Sequence, residues 1–207
     1  TVPQTQEKFT FIAVIDCTGH GVPGAFMSMI GYQLMDEIVK EKQIMEPNLI
    51  LECLDALIVD SLKQKESENT EGMDVCLCRL KQLDDGNTEV HFSGARRNLV
   101  YIEHNELYKI KGDRTSIGGH FEETPKRFKN NVITLTSDTL LYLSSDGLAD
   151  IPNARRRSFS SKRLENLLKI NAHLPLDQQK QEVIQAINTY KGNQEQRDDI
   201  TLLAVRL

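Results

Sequence analysis

Asp16 opens the stretch Asp16-Cys-Thr-Gly-His-Gly-Val-Pro-Gly-Ala25, Asp146 sits in Ser145-Asp-Gly-Leu-Ala-Asp150, and the pair Asp198-Asp199 falls in Arg197-Asp-Asp-Ile-Thr201. Each acid borders a segment that reads as a β-strand, so three strand ends carry carboxylates. Singly, each has an ordinary structural explanation. Ser-Asp-Gly is a common turn, Asp-Asp before a strand is solvated or caps, and Asp16 satisfies backbone N–H groups in a tight turn. Brought together, the carboxylates would repel unless they shared a cation, and an oxygen-only donor set without a partnering Cys or His set suits Mg²⁺ or Mn²⁺. The expected chemistry is that of a hard-metal site. Ser-His-Asp acyl chemistry fits less well, because His20, the only histidine in these motifs, lies in a turn with no identifiable nucleophile.

The elements around these acids follow from hydrophobic spacing. Phe9-Thr-Phe-Ile-Ala-Val-Ile15 is rich in β-branched and aromatic residues and short enough for one buried strand, which puts Asp16 at its end. Val22, Phe26, Met29, Ile30, Leu34 and Ile38 recur at spacings of three and four, with Pro23 suited to a first helical position, and predict a core-facing helix. A strand–turn–helix of this kind aims backbone N–H groups and a positive dipole end at whatever the acid holds. A second core-facing helix opens at Pro47, with Ile50, Leu54, Leu57, Ile58 and Leu62 on one side, and residues 64–71 form a polar loop.

From Asp74 to Ile110 the pattern is a meander, with strands at 75–81, 89–92, 99–103 and 107–110 and turns at 84–87 and 104–105. Residues 132–135, 140–145 and 201–206 add strands, and 161–170 and 177–190 read as helices. Asp74, at a strand start after a loop, is either a turn residue or a contributor to a third ion. Segregated helices with a run of antiparallel strands indicate an α+β domain. Two sheets packed face to face with helices outside would consume this inventory, as would a single large sheet.

Bulk properties narrow the function. The 207 residues, 39% of them hydrophobic, suffice for a single domain with a real core. A net charge of -5 gives no global attraction to nucleic acid or anionic lipid. No apolar run approaches the ~20 residues of a membrane span, and the opening TVPQTQEKF is not a signal or transit peptide. Cys17, Cys53, Cys76 and Cys78 lack paired C-x-x-C spacing, Cys76 and Cys78 share one strand face, and a reduced cytoplasmic compartment is expected.

The three acidic segments, in this order, resemble the bacterial sporulation stage II protein E branch of the metal-dependent type 2C serine/threonine phosphatases. The likeness extends through Ser93-Gly-Ala95, Lys111-Gly-Asp-Arg114 and Ile117-Gly118, and so covers nearly the whole chain. The resemblance implies a four-layer α-β-β-α sandwich of antiparallel sheets flanked by helices, with two divalent ions, Mn²⁺ or Mg²⁺, at one end. It also implies that Asp16 bridges both ions, that Cys17 offers its backbone carbonyl to one, that Asp146 and Asp198 hold the other, and that Asp150 acts nearby through water or a further ion. Hydrolysis then proceeds by metal-activated water without a phosphoenzyme.

The eukaryotic branch has histidine two residues after its bridging Asp, where this chain has Thr18. His20 is left with either a structural role in the 19–21 turn or a proton role beside the site. The family's earlier strand with its Gly-Asp motif has no counterpart in residues 1–10, so the chain is expected to begin inside the domain, lacking its first strand. Implied partners are a phosphoprotein, in this branch an anti-sigma-factor antagonist, and an upstream sensory module, as in the cytoplasmic part of a membrane-anchored sensor. Arg155-Arg156-Arg157 either steers such a phosphoprotein or faces water, and Arg96 and Arg97 are equally open. Rival readings are a non-catalytic signalling module that keeps the fold but has lost metal affinity, and a phosphatase acting on small esters.

Overall fold

Alternating side chains along the strands decide the architecture. The protein was analysed as a computed structural model, which describes residues 7–19, 21–119 and 123–207. In chain order the elements are β1 (Thr10–Cys17), α1 (Gly21–Asp36) running into a π-helical turn (Glu37–Glu41), α2 (Pro47–Ser61), β2 (Gly72–Gln82), β3 (Thr88–Ala95), β4 (Leu99–Glu103), β5 (Glu106–Ile110) and β6 (Ile117–Gly118). They continue with β7 (Asn131–Leu135), β8 (Leu140–Ser144), α3 (Gly147–Asp150), α4 (Ser161–Asn171), α5 (Leu176–Lys191) and β9 (Leu202–Arg206).

Two antiparallel sheets result. One has the order β1-β2-β3-β7, with the two-residue β6 pairing off the path against β2, and the other has the order β5-β4-β8-β9. Side chains alternate between the faces of a strand, and here both faces are apolar. Val14, Cys76, Cys78, Leu80, Val90 and Phe92 of the first sheet meet Leu99, Leu141 and Leu143 of the second to form the inter-sheet core. The opposite face of the first sheet, through Met73, Val75 and Leu77, packs on Met27 and Ile38 and on Ile50, Leu54 and Ile58 of α2. The outer face of the second sheet, through Ile102, Leu140 and Tyr142, takes Leu148, Leu164, Leu168 and Val183 from α3, α4 and α5. The architecture is therefore the expected α+β sandwich of four layers, and the single-sheet alternative does not apply.

Most elements lie within two residues of their predicted bounds, and Cys76 and Cys78 pack together in the inter-sheet core as expected. The hairpin at His104-Asn105 has φ of 50° and 62°, the left-handed pair that a tight two-residue hairpin turn requires. The first helix is the correction. Val22, Phe26 and Met29, expected in the core, are 69%, 60% and 67% exposed, whereas Met27, Gly31 and Ile38 are buried. At about 100° per residue, Val22, Phe26 and Met29 share one face of the helix while Met27, Gly31, Leu34 and Ile38 share a nearly opposite one. The apolar spacing thus merged two stripes, of which the sheet covers one. The helix also begins at Gly21, placing Pro23 third in it and not first.

Candidate metal centre

The inter-sheet stripe turns acidic at one end of the sandwich. In β1 the inward series Ile12, Val14 ends in Asp16, and in β2 the series Leu80, Cys78, Cys76 ends in Asp74. The antiparallel register sets Asp16 directly opposite Asp74, a placement in which like charges destabilise the ladder. Across the sandwich β8 approaches β1 and ends at Ser144, so Asp146 arrives at the same end from the other sheet.

Asp198 is brought there by backbone contacts. Ser145 Oγ donates to Asp199 O at 3.2 Å, Thr201 N–H donates to Ser145 Oγ at 3.0 Å, and Ser145 N–H donates to Thr201 O at 3.1 Å. Gly147 lets this segment close up, since a Cβ there would stand 2.1 Å from Asp199 O. The Ser-Asp-Gly motif and the Asp-Asp motif are thus two halves of one contact. The Asp198 carboxylate caps its neighbour, accepting from Asp199 N–H at 2.8 Å.

Arg97 enters the midst of these acids. Its Nη2 stands 2.5 Å from Asp74 Oδ2, 2.6 Å from Asp146 Oδ2 and 3.9 Å from Asp16 Oδ2, and its side chain is 12% exposed. The turn that carries it is clamped by two glycines, because a Cβ on Gly94 would lie 2.1 Å, and one on Gly112 2.2 Å, from Arg97 O. Arg96 N–H donates to Asp113 O and Asp113 N–H donates to Gly94 O, each at 2.8 Å. The Ser-Gly-Ala and Lys-Gly-Asp segments therefore act together to fix one arginine. Ser116 Oγ donates to Asp74 Oδ1 at 2.7 Å, and Arg96, more exposed, stands 3.7 Å from Asp74 through Nε.

One guanidinium contacts three carboxylates, with Asp198 within electrostatic reach of Asp16, and the shortfall shows in the acidity of Asp16. Burial, then the hydrogen bond to and charge of Asp146, push the Asp16 carboxyl up to about 6, with Asp198 adding to the rise and Arg97 opposing it. Burial also pushes on Asp146, but Arg97's hydrogen bond and charge outweigh it and hold that carboxyl below its usual range. Burial pushes the Cys17 thiol up, so its sulfur stays protonated and only its carbonyl suits a hard ion.

Of the expected site residues, Asp16 and Asp146 meet, Asp198 lies within electrostatic reach, and Cys17 ends β1 opposite Met73. Asp150 closes α3 with an exposed side chain, tied to the site by its N–H donating to Asp146 O at 3.0 Å. His20 lies outside the described residues; beside it, Thr18 Oγ1 donates to the Glu71 carboxylate and accepts from Gly72 N–H at 2.8 Å. Sequence reasoning left the roles of Asp74 and Arg97 open. Asp74 was legible only through the register with Asp16, and the glycines around Arg97 were the one local signal of a tightly held turn.

Residues 6–207 match the family model of stage II sporulation protein E (SpoIIE). The chain belongs to the SpoIIE family. Its fold is similar to that of the SiaA-PP2C domain of Pseudomonas aeruginosa, with 28% identity and a TM-score of 0.83 over 96% of this chain and 79% of that one. The PP2C phosphatase domain of SpoIIE from Bacillus subtilis, solved with a fragment of its regulatory domain, gives 14% identity and a TM-score of 0.69 over 97% of this chain and 58% of that one. The RsbU and RsbW domains of Rv1364c from Mycobacterium tuberculosis give 20% and 0.69 over 97% and 52%. These last two speak for the fold alone. A comparison with curated proteins gives no match.

PP2C-type phosphatases such as the SpoIIE family are metal-dependent, and the donor set of this chain fits a hard divalent ion. It is all carboxylate and carbonyl oxygen, carries more negative charge than Arg97 neutralises, and raises Asp16 through burial first and then the nearness of Asp146 and Asp198. Among the described residues, however, no three Asp, Glu, His or Cys side chains are gathered tightly enough to hold an ion as they stand. The Arg97 guanidinium lies between them. A cavity of about 100 Å³ opens beside the cluster, lined by Arg96, Arg97, Ser145, Asp146 and Ser161. The larger cavity, about 410 Å³, lies against α2, where Asp55 and Glu52 are already paired with Lys126 and Arg127; the unbalanced acids make the smaller cavity the better candidate. Among the described residues no helix is long and apolar enough to cross a membrane.

Proposed function

We propose that the chain is one SpoIIE-family phosphatase domain that hydrolyses phosphoserine or phosphothreonine on a signalling protein. In this reading Asp16, Asp146 and Asp198 hold Mn²⁺ or Mg²⁺, Cys17 adds its backbone carbonyl, Asp74 joins the acidic set, and Asp150 acts from nearby through water. The observation that carries it is the convergence of Asp16, Asp74 and Asp146, from both sheets, on one guanidinium, with Asp198 within electrostatic reach of Asp16. Divalent ions held there would lower the pKa of a bound water and neutralise charge on the phosphoryl oxygens. The protein's own residues do the positioning. The β1–β2 ladder fixes Asp16 against Asp74, the Gly147 contact fixes Asp198 against Asp146, and the apolar inter-sheet core seals the site from behind. Arg96, exposed beside Asp74, offers positive charge to a phosphorylated side chain approaching from solvent.

The SpoIIE-family membership and the resemblance of the three acidic motifs to that branch support an anti-sigma-factor antagonist as the phosphoprotein. A second reading, a binding module without catalysis, is favoured by Arg97 standing among the acids. The test is phosphate release from a phosphoserine protein and from p-nitrophenyl phosphate, with Mn²⁺ and with excess chelator. We expect Mn²⁺-dependent release, faster from the protein. Full activity in chelator overturns the metal assignment, no release at any Mn²⁺ concentration selects the binding module, and equal cleavage of both substrates selects a small-ester phosphatase.

A further inference from the structure

We propose that Arg97 is a resident counter-cation of the carboxylate cluster, and that a divalent ion enters only by displacing its guanidinium. The inference rests on the reading of the cluster as a metal site and adds a device that regulates its occupancy. Three observations support it. First, Arg97 makes its contacts to Asp74, Asp146 and Asp16 through one nitrogen, Nη2. Its Nε is buried with no hydrogen-bond partner among the described residues. A guanidinium settled for structural purposes typically donates through two parallel N–H groups to one carboxylate, so this one is a loose fit to the acids it serves.

Second, the backbone of Arg97 is fixed while its side chain has somewhere to go. Gly94 and Gly112 clamp the carbonyl, and the cavity of about 100 Å³ that Arg97 itself lines opens beside Asp146. Displacement therefore needs side-chain rotation only, with no movement of the turn. Third, the charges are mutually exclusive. An ion drawing on Asp146 and Asp16 would sit within a few ångströms of Nη2, where two positive charges at low screening repel strongly. In the metal-free protein the guanidinium stabilises acids that would otherwise repel across the β1–β2 ladder, and in doing so it lowers the affinity of the site for metal.

The test is Mn²⁺ binding, measured by the EPR signal of free Mn²⁺, in the wild type, Arg97→Met, Arg97→Lys and Asp146→Asn. Arg97→Met keeps the aliphatic stem without the charge and is expected to bind Mn²⁺ about tenfold tighter or more, while its metal-free form melts at lower temperature. Arg97→Lys, which keeps the charge, is expected to stay near the wild type. Wild-type or weaker affinity in Arg97→Met overturns the proposal. Should that variant fold only with metal, the Arg97 Nε–Hε NMR signal of the wild type, assigned by its loss in Arg97→Lys, is followed during Mg²⁺ titration. It is expected to shift in proportion to occupancy, and an unmoved signal at saturation overturns the proposal equally. If Asp146→Asn abolishes binding and Arg97→Met changes nothing, the role of Arg97 falls and the metal site stands. If Asp146→Asn binds as tightly as the wild type, or if none of the four proteins binds Mn²⁺, the metal reading falls with it.

Discussion

Arg79 and Arg97 both bury a guanidinium among acids, at separate places on the same sheet, and the two surroundings are balanced differently. Arg79 projects from the face of β2 that α2 covers. Its Nη1 donates to Glu46 Oε1 at 2.7 Å, and its Nη2 stands 2.9 Å from the His91 ring. That ring in turn lies 3.0 Å from Glu46 and 3.1 Å from Glu89, with Phe9 stacked 4.7 Å from the guanidinium. Two carboxylates thus meet one permanent cation and one imidazole. At the other end, Asp16, Asp74 and Asp146 meet Arg97, with the exposed Arg96 only at the margin of Asp74 and Asp198 adding a further negative charge. The first cluster is closed on itself and ties the start of α2 to the sheet. The second is left short of positive charge, which is the condition under which a divalent ion is gained.

Removing an acid from the unbalanced cluster is the strongest way to break this contrast. Asp16→Asn is expected to cut Mn²⁺-dependent phosphate release by about 10²-fold or more, the kinetic equivalent of roughly 3 kcal/mol of lost charge stabilisation. The metal-free protein should keep its melting temperature or gain a little, because a repulsive charge is gone. Steady-state rates and calorimetry check both halves, and an unchanged rate removes Asp16 from the chemistry.

In the balanced cluster the effect should reverse. Arg79→Met leaves Glu46 without its cation and is expected to cost about 2 kcal/mol, scaled down from a fully buried pair because Glu46 is 38% exposed. Mn²⁺ affinity should be untouched. A variant that melts normally but loses metal would show that the two clusters communicate through β2. Smaller again is Gly112→Ala, whose methyl would press on Arg97 O; displacing that turn should cost about 1–2 kcal/mol and also shift Mn²⁺ affinity, a pairing that Arg79→Met should not show. Melting temperature and Mn²⁺ titration on the same samples separate the two.

Much of this site was legible before any coordinates. Asp16, Asp146 and Asp198 stood out because each follows or precedes an apolar run with small or turn-forming residues beside it. Strand ends are where a sandwich presents side chains to solvent, so local pattern sufficed. Asp74 and Arg97 were ambiguous for the opposite reason. Asp74 joins the acids only because residue 74 happens to face residue 16 in the β1–β2 register, and Arg97 joins them only because Gly94 and Gly112, eighteen positions apart, close on the same carbonyl.

By itself the sequence determined most of the element order, the α+β class and the hard character of the donor set, since these depend on periodicities and residue types that short windows contain, while the four layers and the family came through the resemblance of its motifs. Only the tertiary structure decided which apolar stripe of α1 meets the sheet, and that a cation of the protein's own stands among its acids. Both depend on what lies across a gap between distant segments. Burial and charge balance are properties of that whole neighbourhood, and no stretch of chain encodes them alone.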